Sequence, residues 1–399
     1  MATTFAAHAA ITGTVGPWIP RLKADANLDA AGLGLALAAY AVGLVVGTRL
    51  AALAFAGAGR ATVRIGIPVL GGALALLPLA NGLASLASVF AALGLASGLL
   101  DVAMNIEAAA VERRAGRRLM SGMHGTWSAS MLVGAAIASA GVAAGIPVGV
   151  HLALVAALVV IGTVPLLAWL PSSGTDRVVA DGTDDRQRRR LPIGRMALLC
   201  LIPFAAFLTE GVAAEWSAVF LREAAGAAVG IAGLGVVAFS AGMAVSRFVG
   251  DRLATRHGPS TVVRVGTSVG AIALAGALIG GGTVAAIAAF TMLGLGIGPA
   301  VPLAFSAAAN ASTAHGRTVL GLAVTAGYLG SIVGPIAVGF TADGFGFRWA
   351  FAIPVGMCVA VALGATALRE PEGKIPLPAH HVQDELGAST RSDGRSGPC

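Results

Sequence analysis

The chain has 399 residues, of which 56% are hydrophobic and only 11% charged, with 56 glycines and a formal net charge of +7. Soluble domains carry roughly a quarter charged residues, disorder needs low hydrophobicity, and a β-barrel shows short alternating segments; none of these fits. The positive balance does not point to nucleic acid, because the arginines stand in short loops between apolar runs, where membrane topology accounts for them.

A helix that crosses a bilayer needs about 20 apolar residues. Residues 65–100 contain no Asp, Glu, Lys or Arg, and neither do residues 265–314, so each run holds two helices and a turn. In lipid, small residues let helices approach closely, which gives the glycines a role. The expected fold is therefore an all-α membrane protein with twelve transmembrane helices.

In chain order, segment 1 covers about residues 2–20 and is followed by the polar link 21–30. No Lys or Arg precedes it, so the natural start is expected upstream of Met1, and no cleavable signal peptide is recognised. Segment 2 covers about 32–56. Segments 3 and 4 are divided near Pro78, Asn81 and Gly82, and segment 4 continues to about 111. Segments 5 and 6 cover about 122–144 and 147–170. Residues 171–192 are polar, rich in turn formers and basic at their end, the pattern of a linker. Segments 7 to 12 cover about 194–220, 230–249, 261–280, 283–309, 318–342 and 349–368. The polar tail 369–399 is expected to be disordered.

The domain organisation is thus a six-helix bundle at 1–170, a linker at 171–192, a second six-helix bundle at 193–368, and the tail. With an even number of crossings both termini lie on one side. If that side is cytoplasmic, the inside loops hold Arg60, Arg64, Arg113, Arg114, Arg117, Arg118, Arg177, Arg186, Arg188, Arg189, Arg190, Arg252, Arg256, Arg317 and Arg369. The outside loops hold only Arg21, Lys23, Arg222 and Arg348. The imbalance of about four to one sets the orientation, with the plasma (inner) membrane as the expected location.

The two bundles resemble each other. Gly13-Thr-Val-Gly-Pro-Trp18 matches Gly211-Val-Ala-Ala-Glu-Trp216, Arg49 stands at the same offset as Arg247, and residues 59–64 resemble residues 258–264 with one insertion. Such internal duplication is the signature of a secondary transporter with its site between the repeats.

Polar residues inside the spans are the candidate site. A carboxylate in a membrane helix is costly and usually functional. Asp101 lies well inside segment 4, and Asn105, four residues on, shares its face. Glu112 falls on nearly the same stripe but stands beside arginines, as an interfacial charge; Glu107 points elsewhere. Glu210 and Glu215 lie in segment 7, five residues apart and so on different faces; either binds substrate or a proton. Asp101, Glu210 and Glu215 are the proton-coupling candidates. Trp18 and Trp216 stand near the outer ends of segments 1 and 7, either as an interfacial aromatic belt or flanking the substrate entrance. His124 and Trp127 open segment 5; His124 titrates near physiological pH if exposed, or is a packed loop histidine. Asn105, Trp18, Trp216, His124 and Trp127 form the candidate substrate cavity.

With these residues in hand, the stretch 2–368 resembles the major facilitator superfamily. Gly250-Asp251-Arg252-Leu-Ala-Thr-Arg256-His-Gly258 is similar to its signature loop. The resemblance implies a cytoplasmic gate of Arg247, Gly250, Asp251, Arg252 and Arg256, with Asp251 held by Arg247 or Arg256. The first-half copy, residues 47–60, lacks the Asp. Asp101-Val-Ala-Met-Asn105 resembles the fucose-permease-like branch, in which an acid and an Asn four residues on sit in helix 4 of proton-coupled symporters. Those proteins carry an acid in helix 1 too, where this chain has His8, Thr12 and Thr14. The Gly-Pro pair that drug antiporters place in segment 5 is absent there and occurs at Gly334-Pro335 instead.

The function implied is alternating-access transport of a small solute, driven by protons. The alternatives are a proton-driven exporter of a small amphipathic compound and a non-transporting membrane sensor. Cys200, Cys358 and Cys399 have no metal or disulfide spacing, and no nucleophile–base or phosphate-loop arrangement occurs, so neither cofactor nor enzymatic chemistry is expected. The expected partners are the solute, protons and the bilayer, not nucleic acid, and the protein is expected to be a monomer.

Overall fold

Apolar runs too long for strands, separated by Gly, Pro and basic turns, become helices in the computed structural model, which describes residues 1–54, 59–115, 119–167, 192–310 and 316–369. Every regular element among these residues is helical. The first half comprises α1 (Ala2–Val15), α2 (Ala30–Ala54), α3 (Gly59–Leu76), α4 (Leu83–Ala115), α5 (Met120–Ala143) and α6 (Val148–Leu167). The second comprises α7 (Ile193–Glu223), α8 (Leu234–His257), α9 (Pro259–Gly280), α10 (Thr283–Ile297), α11 (Gly316–Phe345) and α12 (Ala352–Gly364). Eleven helical spans among the described residues are long and apolar enough to cross a membrane. The exception is α1, which has 14 residues. Pro17 and Pro20 remove backbone donors there, and the chain passes through a 3-10 turn, Gly16–Trp18, into a second short helix, Ile19–Asp25. The linker expected at 171–192 lies outside the described residues except for Pro192, and so does the tail from 370 on.

Helix pairing repeats with an offset of six. In the first half α1 packs on α5, α2 on α4, and α3 on both α4 and α6. In the second half α7 packs on α11, α8 on α10, and α9 on both α10 and α12. The halves meet along α2–α11 and α5–α8, two pairs that the same offset exchanges.

Glycines make these pairs close. A Cβ on Gly43 or Gly47 of α2 would run into the Ala91 or Leu95 carbonyl of α4, and one on Gly94 or Gly98 of α4 into the Tyr40 or Leu44 carbonyl of α2. The second half repeats this: Gly242 of α8 lies against the Thr291 carbonyl and Gly294 of α10 against that of Phe239. Close backbone approach of this kind is how helices associate where no hydrophobic driving force acts between them. The outer face is apolar instead. Ile65, Leu158, Ile272 and Leu363, on α3, α6, α9 and α12, are between 64% and 74% exposed.

Contacts between the halves are tightest at the end of the bundle that carries Lys23. There Gly34 of α2 lies against the Pro335 carbonyl of α11, and Gly339 against Ala30. Lys23 Nζ holds both carboxylate oxygens of Glu223, at 2.7 and 2.8 Å, and stands 5.7 Å from the Phe347 ring centroid.

Candidate functional site

Helix α4 carries the site's spine. Leu93, Ser97, Asp101 and Asn105 follow one another at intervals of four and share a face; Leu93 and Asp101 are separated by about 12 Å of helix rise. The Asn105 amide donates to the Asp101 carboxylate at 3.2 Å and to the Asp101 carbonyl at 2.8 Å, so the expected alignment is a direct hydrogen bond. Asp101 is half-buried. Arg49 turns to the Thr325 hydroxyl of α11 at 3.5 Å.

One turn before Asp101, Ser97 receives two side chains. His8 Nε2 lies 2.7 Å from the Ser97 hydroxyl and the Tyr40 hydroxyl donates to it at 3.3 Å. The Trp127 indole donates to His8 Nδ1 at 2.9 Å. An indole N–H only donates, so Nδ1 is the acceptor and the proton of the neutral imidazole sits on Nε2, facing Ser97. His8 thereby ties α1 to α4 and α5, and Ser97 brings in α2 through Tyr40. His8 and Tyr40 were not among the sequence candidates. Their signal was available: a histidine inside an apolar span, and one of only two tyrosines in the chain.

Beyond Leu93 the same face opens on a cavity of about 120 Å³ lined by Thr12, Ile19, Tyr40, Leu93, Met131 and Glu215, among others. It lies between the halves: Glu215 comes from α7, the other five residues from the first half or its extension. Glu215 Oε2 is closed off from solvent and has no hydrogen-bond partner among the described residues. Glu210 behaves differently. One of its oxygens accepts from Arg247 Nη2 of α8 at 3.4 Å. The two glutamates do fall on different faces, one in an ion pair and one at the cavity.

The remaining candidates lie elsewhere. Trp18 and Trp216 are 4% and 0% exposed, packed against His151 and Phe347 with centroids 5.3 and 6.1 Å apart. They are neither in an exposed belt nor among the residues lining this cavity, because His151 of α6 and Phe347 just before α12 pack over them. His124 is exposed and meets Phe5 edge-on at 5.2 Å. Glu112 accepts the Leu119 backbone N–H at 2.6 Å, fastening the start of α5, and Glu107 is buried.

In the signature loop Gly250 is buried against the Pro299 ring, while Asp251, Arg252 and Arg256 are exposed. Among the described residues Asp251 pairs with neither Arg247 nor Arg256, the two partners the signature loop implies. Arg247 reaches inward to the more buried Glu210, and the Asp251 carboxylate has no ion pair among the described residues.

A multi-pass helical membrane protein with polar side chains converging between two matching halves is a carrier by architecture. The chain is 33% identical over 355 residues to an uncharacterised MFS-type transporter of Yersinia pestis, covering 88% of this chain and 90% of that one. It is 31% identical over 376 residues to an uncharacterised transporter of Sinorhizobium fredii, covering 93% and 97%. The Major Facilitator Superfamily model matches residues 198–392. The chain belongs to the major facilitator superfamily and is a transporter of a small molecule, not an enzyme. Solved structures share the fold. A mutant form of the nucleoside transporter NupG superposes with a TM-score of 0.73 at 14% identity over 92% of this chain and 98% of that one. The D-xylose-proton symporter gives 0.70 at 15% identity over 91% and 95%. A mutant form of the Escherichia coli fucose:proton symporter FucP gives 0.57 at 13% over 93% and 98%, so the fold does not single out the fucose-permease-like branch.

Proposed function

We propose that the protein is a proton-coupled secondary transporter of the plasma (inner) membrane that works by alternating access, as a monomer, through rocking of the bundles 1–170 and 193–368. The observation that carries this reading is the Asp101–Asn105 pair on α4, one turn from the His8–Ser97–Tyr40 cluster and two turns from the cavity between the halves. A carboxylate at that depth is retained for a task, and proton uptake removes the cost of its charge when the surrounding helices close. Asn105 holds the carboxyl in place or binds solute. The likeness of Asp101 and Asn105 to the fucose-permease-like pair supports proton symport. Asp251, Arg252 and Arg256 form the cytoplasmic gate, with Asp251 free to find a cation when that side closes.

Vesicles reconstituted with the pure protein and a trapped pH dye test the coupling. A transported solute shifts the lumenal pH in them and not in empty vesicles. Flux of solute with no pH change refutes proton coupling.

The arginine imbalance puts both termini and residues 171–192 in the cytoplasm. Single cysteines placed in that stretch are expected to resist membrane-impermeant maleimide in intact cells and react after lysis. Labelling in intact cells reverses the orientation.

A further inference from the structure

The hydrogen-bonding inventory of the cavity at Glu215 contains more than a place for a solute. We propose that it receives the ammonium group of a small organic cation, with Glu215 as counter-ion; this rests on the reading of the chain as a carrier and specifies the chemistry of its solute.

Three residues with polar side chains line the cavity: Glu215, Thr12 and Tyr40. The Thr12 hydroxyl donates back to the His8 and Ala9 carbonyls, at 3.1 and 3.2 Å. The Tyr40 hydroxyl donates to Ser97. Both protons are therefore committed to the protein, and the oxygens keep only lone pairs to offer. An ionised Glu215 accepts and cannot donate, and Oε2 has no partner among the described residues. With Glu215 ionised, the polar side chains of the cavity are thus acceptors without a free donor.

Charge points the same way. No Lys or Arg lines the cavity, whereas Glu210, five residues earlier on the same helix, has Arg247. A carboxylate screened from water needs a cation or a proton beside it. An ammonium supplies three N–H donors and one positive charge, matching three acceptor side chains and one negative charge. A carboxylate or phosphate would meet acceptors only. The remaining lining, Ile19, Leu93 and Met131 among it, suits a short apolar body. A volume of about 120 Å³ corresponds to roughly four waters of liquid volume, room for an ammonium head and a few carbons.

The test uses the full-length protein in detergent and a panel of three- to six-carbon primary amines and amino alcohols. Each is paired with the hydroxyl and carboxylate compound of the same shape, and binding is read by calorimetry and thermal shift. At least one amine is expected to bind tenfold or more tightly than both of its isosteres. Glu215→Gln should lose that preference tenfold or more with its melting temperature near wild type, and Glu215→Asp should keep it. Equal binding of amine and hydroxyl compounds overturns the proposal, as does undiminished amine preference in Glu215→Gln or failure of every amine to bind. Should Glu215→Gln not fold, Glu215→Asp and Thr12→Val decide: the first must retain and the second weaken the preference. Tracer flux in vesicles separates the two readings. Amine binding without flux keeps the site and removes the carrier, while flux of neutral solutes with no amine preference keeps the carrier and removes the ammonium site.

Discussion

Asp101→Asn abolishes accumulation driven by a pH gradient and leaves counterflow of the same solute within about twofold of wild type. The substituted amide has the shape of the protonated carboxyl and still hydrogen-bonds Asn105, so the α4 face and the Ser97 cluster one turn away keep their geometry. What it lacks is a proton to release. Placing a charged Asp at the centre of a spanning helix costs about 2.5–3.5 kcal/mol on insertion scales. If proton binding removes a cost of that size in one state and not the other, the conformational equilibrium shifts by about two powers of ten. The variant has no such shift, so accumulation at an imposed gradient should fall at least tenfold. Both measurements are made in the same vesicles, so a loss of protein or of orientation lowers both together. An Asp101→Asn carrier that still concentrates its solute against the gradient removes Asp101 as the coupling site. Glu210 and Glu215 then take its place, Glu215 first, because Glu210 is already neutralised by Arg247.

Gly94→Val dismantles the bundle rather than the coupling. The added Cβ lands on the Tyr40 carbonyl of α2 and crowds the Leu44 backbone N–H, and backbone cannot rotate away as a side chain can. The valine methyl groups extend the conflict. Helices α2 and α4 must separate, which carries the Tyr40 hydroxyl off Ser97 and removes a wall of the cavity. Overpacking in a close-packed core costs about 1–3 kcal/mol; a clash against main chain belongs at the upper end, so Gly94→Val is expected to lose about 3 kcal/mol. That corresponds to a large drop in melting temperature in detergent and in the yield of monodisperse protein. Gly72→Ala is the control. A Cβ there meets nothing within 4 Å, and replacing a helical glycine gains up to about 1 kcal/mol of helix propensity. A Gly94→Val protein that melts with wild type would mean that α2 and α4 do not approach as described.

The polar residues differ in how much of their role was legible. Asp101 and Asn105 stood out because a spacing of four places two side chains on one helical face whatever surrounds the helix. His8 did not, because its role comes from Trp127, 119 positions away, and Ser97, 89 positions away. A spacing rule reaches only about two turns. Glu210 and Glu215 looked interchangeable as a pair of acids on one helix. Which of them has a cation was decided by Arg247 on α8. Trp18 and Trp216 read as residues of the interface because they stand near the outer ends of segments 1 and 7; the residues that pack over them come from α6 and the turn before α12.

By itself, the sequence determined the class, the twofold repeat and the family, and it counted twelve spans where eleven among the described residues are long enough to cross. Each of these follows from local quantities: length of apolar run, absence of charge, arginine count per loop, and similarity between positions about 200 apart. Tertiary structure alone decided which polar side chains meet. Between helices the partners of a hydrogen bond are chosen by rotation and depth of packing, set here by glycine contacts such as Gly43–Ala91 and Gly94–Tyr40. A turn of α4 by a single residue, about 100°, would take Ser97 from His8, and the same turn of α7 would take Glu215 from the cavity, while leaving hydropathy, charge and motif unchanged.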